Sequence, residues 1–528
     1  MGTLFVGGTI YTMETADTKV EAVYTEAGYI VETGTEAGLK TAYQEQITEV
    51  FDLEGAVMYP GFVDSHLHIM GHGEKLLHLD LSQMLSAEAV LEAIKQKITT
   101  LDPGEWLIAE GWNENQWEES RIIDKNELDA ISAEHPMMLT RVCRHAIIVN
   151  SKALELAGIT KRTPDPQGGK IVCDKQGDPT GYLLDQAQEL VKETVPEESE
   201  KRLKQTIQVA IEDLLRLGLV GGHSEDLFYY GGFKRTLEAY QAILPTKYKF
   251  RAHLLVHHQV FDEMVQKGYR YGDGGEFTTL GAMKFFSDGA LGGRTAWLKE
   301  PYADDPDNVG IPIHTSADLE QLFQKARSYQ HPVAVHAIGD QAVEEIVKLI
   351  AKYPLANGLR DRIIHAQVVD NQLIERLKET AVVLDIQPSF VVSDFPWVIK
   401  RLGTERAMNS YPWQTYTTQG IACAGGSDAP IEEVNPLLGI QAAVTRRSRI
   451  DQQIYGKDQQ LSVFDAISLY TKGSAFVISH EENRGMIKSG YTADFTVLEH
   501  DLFSHEPDRF HEIAVKATIV DGEVMYQK

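Results

Sequence analysis

The chain has 528 residues, 43% of them hydrophobic, enough to bury a large core as roughly two to four domains or one large barrel with additions. Acidic residues outnumber basic ones 77 to 50, and the formal charge of −27 repels phosphate backbones and anionic lipid, which excludes nucleic acid and membrane surfaces as natural partners. Cys143, Cys173 and Cys423 lack metal-site spacing, and neither a basic-then-apolar leader nor a membrane-length apolar run is visible, so a cytoplasmic protein is expected.

Short β-like runs open the chain: Leu4–Val6, Thr9–Tyr11, Ala22–Tyr24 and Thr48–Phe51, parted by glycine turns at Gly7-Gly8, Gly28 and Gly34. The far end has the same texture at Gly490–Leu498 and Ala517–Tyr526. Residues 1–58 and 481–528 are therefore predicted to pair into one small β-sandwich, since either end alone offers few strands.

Residues 57–68 form the next element, a buried strand through Val57, Met58, Phe62 and Val63 that runs into His66 and His68. Residues two apart on a strand point to the same side, so both imidazoles can reach one metal. Alone, His-x-His is a weak signal. The stretch 71–200 is irregular, with helical periodicity at 87–100 and 151–157 and strand-like runs before Trp112 and before His145. It reads as an inserted α+β subdomain, with Trp112 and His145 as candidates for substrate contact if it overhangs the site.

Strands and helices then alternate, the pattern of parallel β/α units. Counting the His66 strand, eight strands are predicted, at 57–68, 219–223, 249–257, 281–288, 332–336, 362–365, 381–387 and 420–428. Eight such units within 59–480 argue for a (β/α)₈ TIM barrel, in which reactive groups collect at the C-terminal strand ends. His336, His365 and Asp428 close three of these strands, and a period of two puts Lys284 and Asp288 on one face of a fourth.

These residues carry a resemblance. Pro60-Gly61-Phe62-Val63-Asp64-Ser65-His66-Leu67-His68, the run Lys284–Thr295, His336–Asp340, Gly426–Pro430, Gly490–Asp494 and Ile519–Gly522 together resemble the amidohydrolase superfamily, in its amidohydrolase-3 (YtcJ-like) branch related to N-substituted formamide deformylases. The resemblance spans essentially the whole chain and implies a metal-bearing barrel flanked by a sandwich of both termini. It implies that His66 and His68 bind one divalent metal and His336 and His365 a second, that Asp428 contacts metal and the attacking water, and that Lys284 bridges if carboxylated. An ammonium cannot ligate a cation, so two zinc ions are expected with carboxylated Lys284 and one without.

Neutral imidazoles on a metal bring the pKa of water from about 15.7 toward 7, and Asp428 can relay the proton to a leaving nitrogen. Hydrolysis of a non-peptide C–N bond in a small-molecule amide or formamide follows as the expected reaction. A mononuclear deaminase acting on a ring amidine and a non-catalytic protein with a relic site stay open. Arg294 is a candidate substrate fork, with His223 and Gln387 as weaker candidates. A homodimer is compatible with the sequence.

Overall fold

The computed structural model describes residues 2–114, 117–141, 146–166, 168–196, 199–355 and 358–528. Eight parallel strands form one sheet in the order in which the chain supplies them. They are β1 (Phe62–Leu67), β2 (Leu219–Ser224), β3 (Arg251–His257), β4 (Thr278–Phe286), β5 (Val333–Ala337), β6 (Asp361–His365), β7 (Val382–Ile386) and β8 (Ala422–Gly425). Parallel strands covered on both faces must be buried along their length, and β3 and β7 are buried at every position. The covering helices are amphipathic. In Asp340–Lys352 the residues Ala342, Val343, Ile346, Val347 and Ile350 recur at helical spacing and are buried.

The ring closes through the turn after β8. The Asp428 N–H donates to the His66 carbonyl at 2.8 Å, and the His68 N–H donates to the Ala429 carbonyl at 2.8 Å. Beneath them the buried Asp64 carboxylate accepts the N–H groups of His66 (3.0 Å) and Ser427 (3.0 Å). Backbone closure thus brings the first and last strands together at the point where their polar side chains emerge.

The single strand predicted over 57–68 is two strands in two sheets. Val57–Pro60 pairs with Thr9–Tyr11 and Phe495–Leu498, whereas β1 pairs with β2. Gly61 makes the crossing, and a Cβ there would sit 2.4 Å from Val220 Cγ2, so only glycine fits. The predicted strand over 281–288 ends instead at Phe286. Asp288 lies beyond it, where its carboxylate accepts the N–H groups of Trp297, Ile338 and Gly339, and the same-face relation expected with Lys284 does not hold.

Both termini build the flanking sandwich. One sheet holds Tyr29–Gly34, Ala22–Glu26, Gly2–Val6 and Ile47–Asp52, and the other joins Val515–Val520 and Glu523–Gln527 to Phe495–Leu498 and Val57–Pro60. Phe5, Ile10, Val23, Met58, Phe495 and Ile519 pack between them.

The chain divides into two compact units, Met1–His72 with Glu200–Lys528, and Gly73–Ser199. The second has its own six-stranded mixed sheet, centred on Leu107–Trp112, Met137–Arg141 and Ala146–Val149, with Ala87–Ile98 among its helices. Val90, Ile94, Leu107, Ala109, Trp112, Leu139 and Ile148 share one of its cores. Among the described residues no helix is long and apolar enough to cross a membrane.

Candidate metal centre

His66 is the penultimate residue of β1 and is 1% exposed, and His68 follows just past the strand's end at Leu67. Nε2 of each lies 3.4 Å from Asp428 Oδ1, and one ligand atom from each of the three residues falls within 4.8 Å of the others. The rings continue into the barrel: His66 to His365 is 5.9 Å between centroids, and His365 to His336 is 4.5 Å. Asp428 and His365 hold φ values of 58° and 80°, left-handed conformations costly for residues other than glycine and concentrated at functional sites.

Hydrogen bonds fix which nitrogen of each ring faces the cluster. A carbonyl can only accept, so His68 Nδ1 carries its proton toward the Glu225 carbonyl at 3.0 Å, and Nε2 is the nitrogen that faces Asp428. Gln387 donates through Nε2 to the Asp385 carbonyl (3.0 Å), which turns its Oε1 to His365 Nδ1 at 2.7 Å. His336 gives Nε2 to the Gly289 carbonyl at 3.2 Å. Such partners orient ligating histidines and set their tautomer.

Burial pushes the His66 imidazole well below its ordinary range and His336 and His365 down to about 3, with Lys284 among the opposing charges for all three. Their lone pairs are therefore free. Burial works against charge on His68 too, but the Asp428 carboxylate beside it, with Glu225 and Asp226 further off, raises it to about 9. For Asp428, burial is outweighed by His68, His365 and Lys284, which hold it below the usual carboxylate range. His66, held neutral, and His68, whose Nε2 proton a bound cation would displace, converge on one carboxylate in a donor set suited to zinc, and His66 Nδ1 is buried without a hydrogen-bond partner.

Lys284 stands at the edge of the cluster, with Nζ 3.3 Å from Glu225 Oε2 and 4.6 Å from the Phe286 ring centroid. The contact is ionic and not a well-formed hydrogen bond, since Oε2 accepts none.

A sequence model described as "Amidohydrolase family" matches residues 49–526. The chain belongs to the amidohydrolase family. It is 50% identical over 531 residues to YtcJ of Bacillus subtilis (strain 168), an amidohydrolase by name, with 100% of both chains covered. With the N-substituted formamide deformylase of Arthrobacter pascens it shares 24% identity over 549 residues, covering 99% of this chain and 98% of the other. Among solved structures it is similar to an uncharacterized metal-dependent hydrolase from Pyrococcus furiosus, with a TM-score of 0.82, 27% identity, and 96% and 100% of the two chains covered.

Within this amidohydrolase the other sequence candidates scatter. Gln387 reaches the cluster, as the partner of His365 and not as a free surface for substrate. His223 is 1% exposed and accepts from Arg362 Nη2 at 3.2 Å, its ring packed on His253. Arg294 spends its fork on Asp304, at 3.0 Å from Nε and 2.9 Å from Nη2. Trp112 is buried in the core of the 73–199 unit, where its indole N–H donates to the Leu139 carbonyl at 3.1 Å, so it is a packing residue. His145 lies outside the described residues. Sequence reading missed Glu225 and Asp64. Glu225 follows directly on β2, and the rule that reactive groups sit at strand ends would have found it.

Proposed function

We propose that this amidohydrolase hydrolyses a non-peptide C–N bond in a small-molecule amide or N-substituted formamide. The observation that carries the reading is the meeting of His66, His68 and Asp428 at one point, with His365 and His336 next in line. His66, His68 and Asp428 would hold one zinc ion, and His336 and His365 a second, bridged by Lys284 in carboxylated form. A divalent cation held there supplies Lewis acidity, polarising a carbonyl oxygen and acidifying water. Asp428 takes the proton of the attacking water and delivers it to the leaving nitrogen. Gln387 and the Glu225 carbonyl hold the imidazoles of His365 and His68 in the tautomers that this needs.

The Lys284–Glu225 pair favours a second reading. A lysine kept as ammonium by Glu225 cannot bridge, and a one-metal centre acting as a deaminase on a ring amidine follows. The 71–200 insertion, which the chain enters directly after His68, is proposed to set substrate choice. A panel of N-substituted formamides, N-acyl amines and aminopyrimidines, assayed with zinc-loaded protein, separates the readings. Release of formate or carboxylate with an amine supports the first. Ammonia release from the ring substrates alone overturns it in favour of the second.

A further inference from the structure

One inward-facing histidine at the metal-bearing end of the barrel has no part in the centre described above. Leu255, Ala282, Ala334 and Ile364 pack together as one layer of the barrel interior, contributed by β3, β4, β5 and β6. Side chains alternate along a strand, so the residues two further on share that inner face. On β3, β4 and β5 these are His257, Lys284 and His336, and His257 pairs in register with Lys284. Two of these three positions belong to the proposed centre, and His257 is the third.

Its ring is held in place and in one tautomer. Phe228 stacks on it at 4.6 Å between centroids and 15° between planes, His258 lies 4.4 Å away, and Phe286, itself 5.1 Å from the His336 ring, stands 6.3 Å off. The Gln259 N–H donates to Nδ1 at 3.3 Å, and an N–H can only donate, so the ring proton sits on Nε2. That Nε2–H finds no acceptor among the described residues. Burial, helped by Lys284 and His314 and opposed by Glu225, holds the ring below the ordinary histidine range, so it is a donor without charge. His257 is 5% exposed and lies 5.9 Å from the half-exposed Tyr229 ring, one side chain below the surface.

We propose that His257 binds the substrate through Nε2–H, and that this substrate carries a second, uncharged acceptor oxygen beside the scissile C–N bond; the inference rests on the hydrolysis proposed above. The position selects the role, because a donor on the layer of Lys284 and His336 faces the same mouth as the groups of the proposed centre. The charges select the acceptor. Lys284, the cation across from His257 on β4, is matched by Glu225 at 3.3 Å, so a carboxylate arriving here would meet the Glu225 charge with that cation already taken. A carbonyl or amide oxygen meets a neutral donor whose orientation Phe228 and Gln259 have already set.

Formate release by the zinc-loaded protein from N-formylglycinamide, N-propylformamide and N-formylglycine tests this: the first carries the extra neutral oxygen, the second lacks it and the third charges it. The proposal expects a KM about 10-fold lower for N-formylglycinamide than for either of the others, the worth of one uncharged hydrogen bond. His257→Phe keeps a ring against Phe228 and should bring that ratio near one, a change that general damage to the fold would not produce, and His257→Gln, which still has an N–H donor, should restore part of it. A ratio near one in the unaltered protein, the same ratio in His257→Phe as in the unaltered protein, or a preference for N-formylglycine overturns the proposal. If no probe yields formate, the hydrolysis reading fails separately, and calorimetric binding of the same probes decides the role of His257. N-formylglycinamide bound about 10-fold more weakly by His257→Phe then supports it, whereas equal affinity, or no binding to the unaltered protein, overturns it. If His257→Phe does not fold, crystals of the unaltered zinc-loaded protein soaked in N-formylglycinamide decide, by whether its amide oxygen lies within hydrogen-bond distance of Nε2.

Discussion

Lys284 Nζ and Glu225 Oε2 lie 3.3 Å apart, with both side chains shut away from solvent at 1% and 0% exposure. Glu225 leaves the end of β2 and Lys284 rises from β4, so the pair spans the barrel wall between them, and β3 is the strand that separates them. A buried pair of this kind is costly to break, because the partner left behind keeps its charge: about 3–5 kcal/mol is typical. Lys284→Ala distinguishes the two states of the lysine. If it is carboxylated in the zinc-loaded enzyme, the variant binds one ion fewer, loses most of its turnover and recovers both with short carboxylic acids. Full zinc content and turnover without such acids would remove Lys284 from the centre.

Asp428→Asn keeps the shape of the side chain and the backbone bond to His66, and removes the proton relay. The variant should fold, retain much of its zinc, and lose about 10²–10⁴-fold in kcat, the usual worth of a general acid–base. Turnover near that of the unaltered protein would assign the proton transfer to another group.

Gln387 acts through His365. Gln387→Ala frees the His365 ring from the bond at 2.7 Å and should weaken zinc binding by about 10–100-fold, read by competition with a chromophoric chelator. Gln387→Glu, which still accepts from Nδ1, should restore most of the affinity. Equal zinc affinity in the alanine variant and the unaltered protein would reduce Gln387 to a packing role.

Much of this centre was legible in the sequence because a parallel barrel sends its strand ends to one face, so a histidine after an apolar run already has an address. His66, His68, His336, His365 and Asp428 were read in that way. The Lys284–Glu225 pair was not legible: Glu225 has no periodic pattern around it, and its meeting with Lys284 depends on the spacing of β2 and β4 in the closed sheet. Period two also misplaced Asp288, because β4 ends at Phe286. Arg294 looked available from its glycine-rich loop, and only the folded loop brings Asp304 to its fork. The break at Gly61 was visible as Pro-Gly, but that it divides two sheets depends on the approach of Val220.

Trp112 gives a stability prediction. Its strand carries a register shift between Glu110 and Trp112, with Gly111 at φ 94°, and this bulge turns the indole into the core of the 73–199 unit. Trp112→Ala should cost about 3–5 kcal/mol in the unfolding of that unit, by urea titration, and leave zinc content unchanged. A variant as stable as the unaltered protein, but with altered substrate preference, would place the indole at the site instead.

The central claim is that His66, His68 and Asp428 hold a catalytic divalent metal. Elemental analysis of the chain purified without chelator, beside His66→Ala prepared in the same way, tests it most directly. The account predicts about one or two zinc ions per chain in the unaltered protein, as bridging by Lys284 decides, and a marked loss in a folded His66→Ala. An unaltered protein that carries no divalent metal, and takes up none when incubated with zinc, would contradict it.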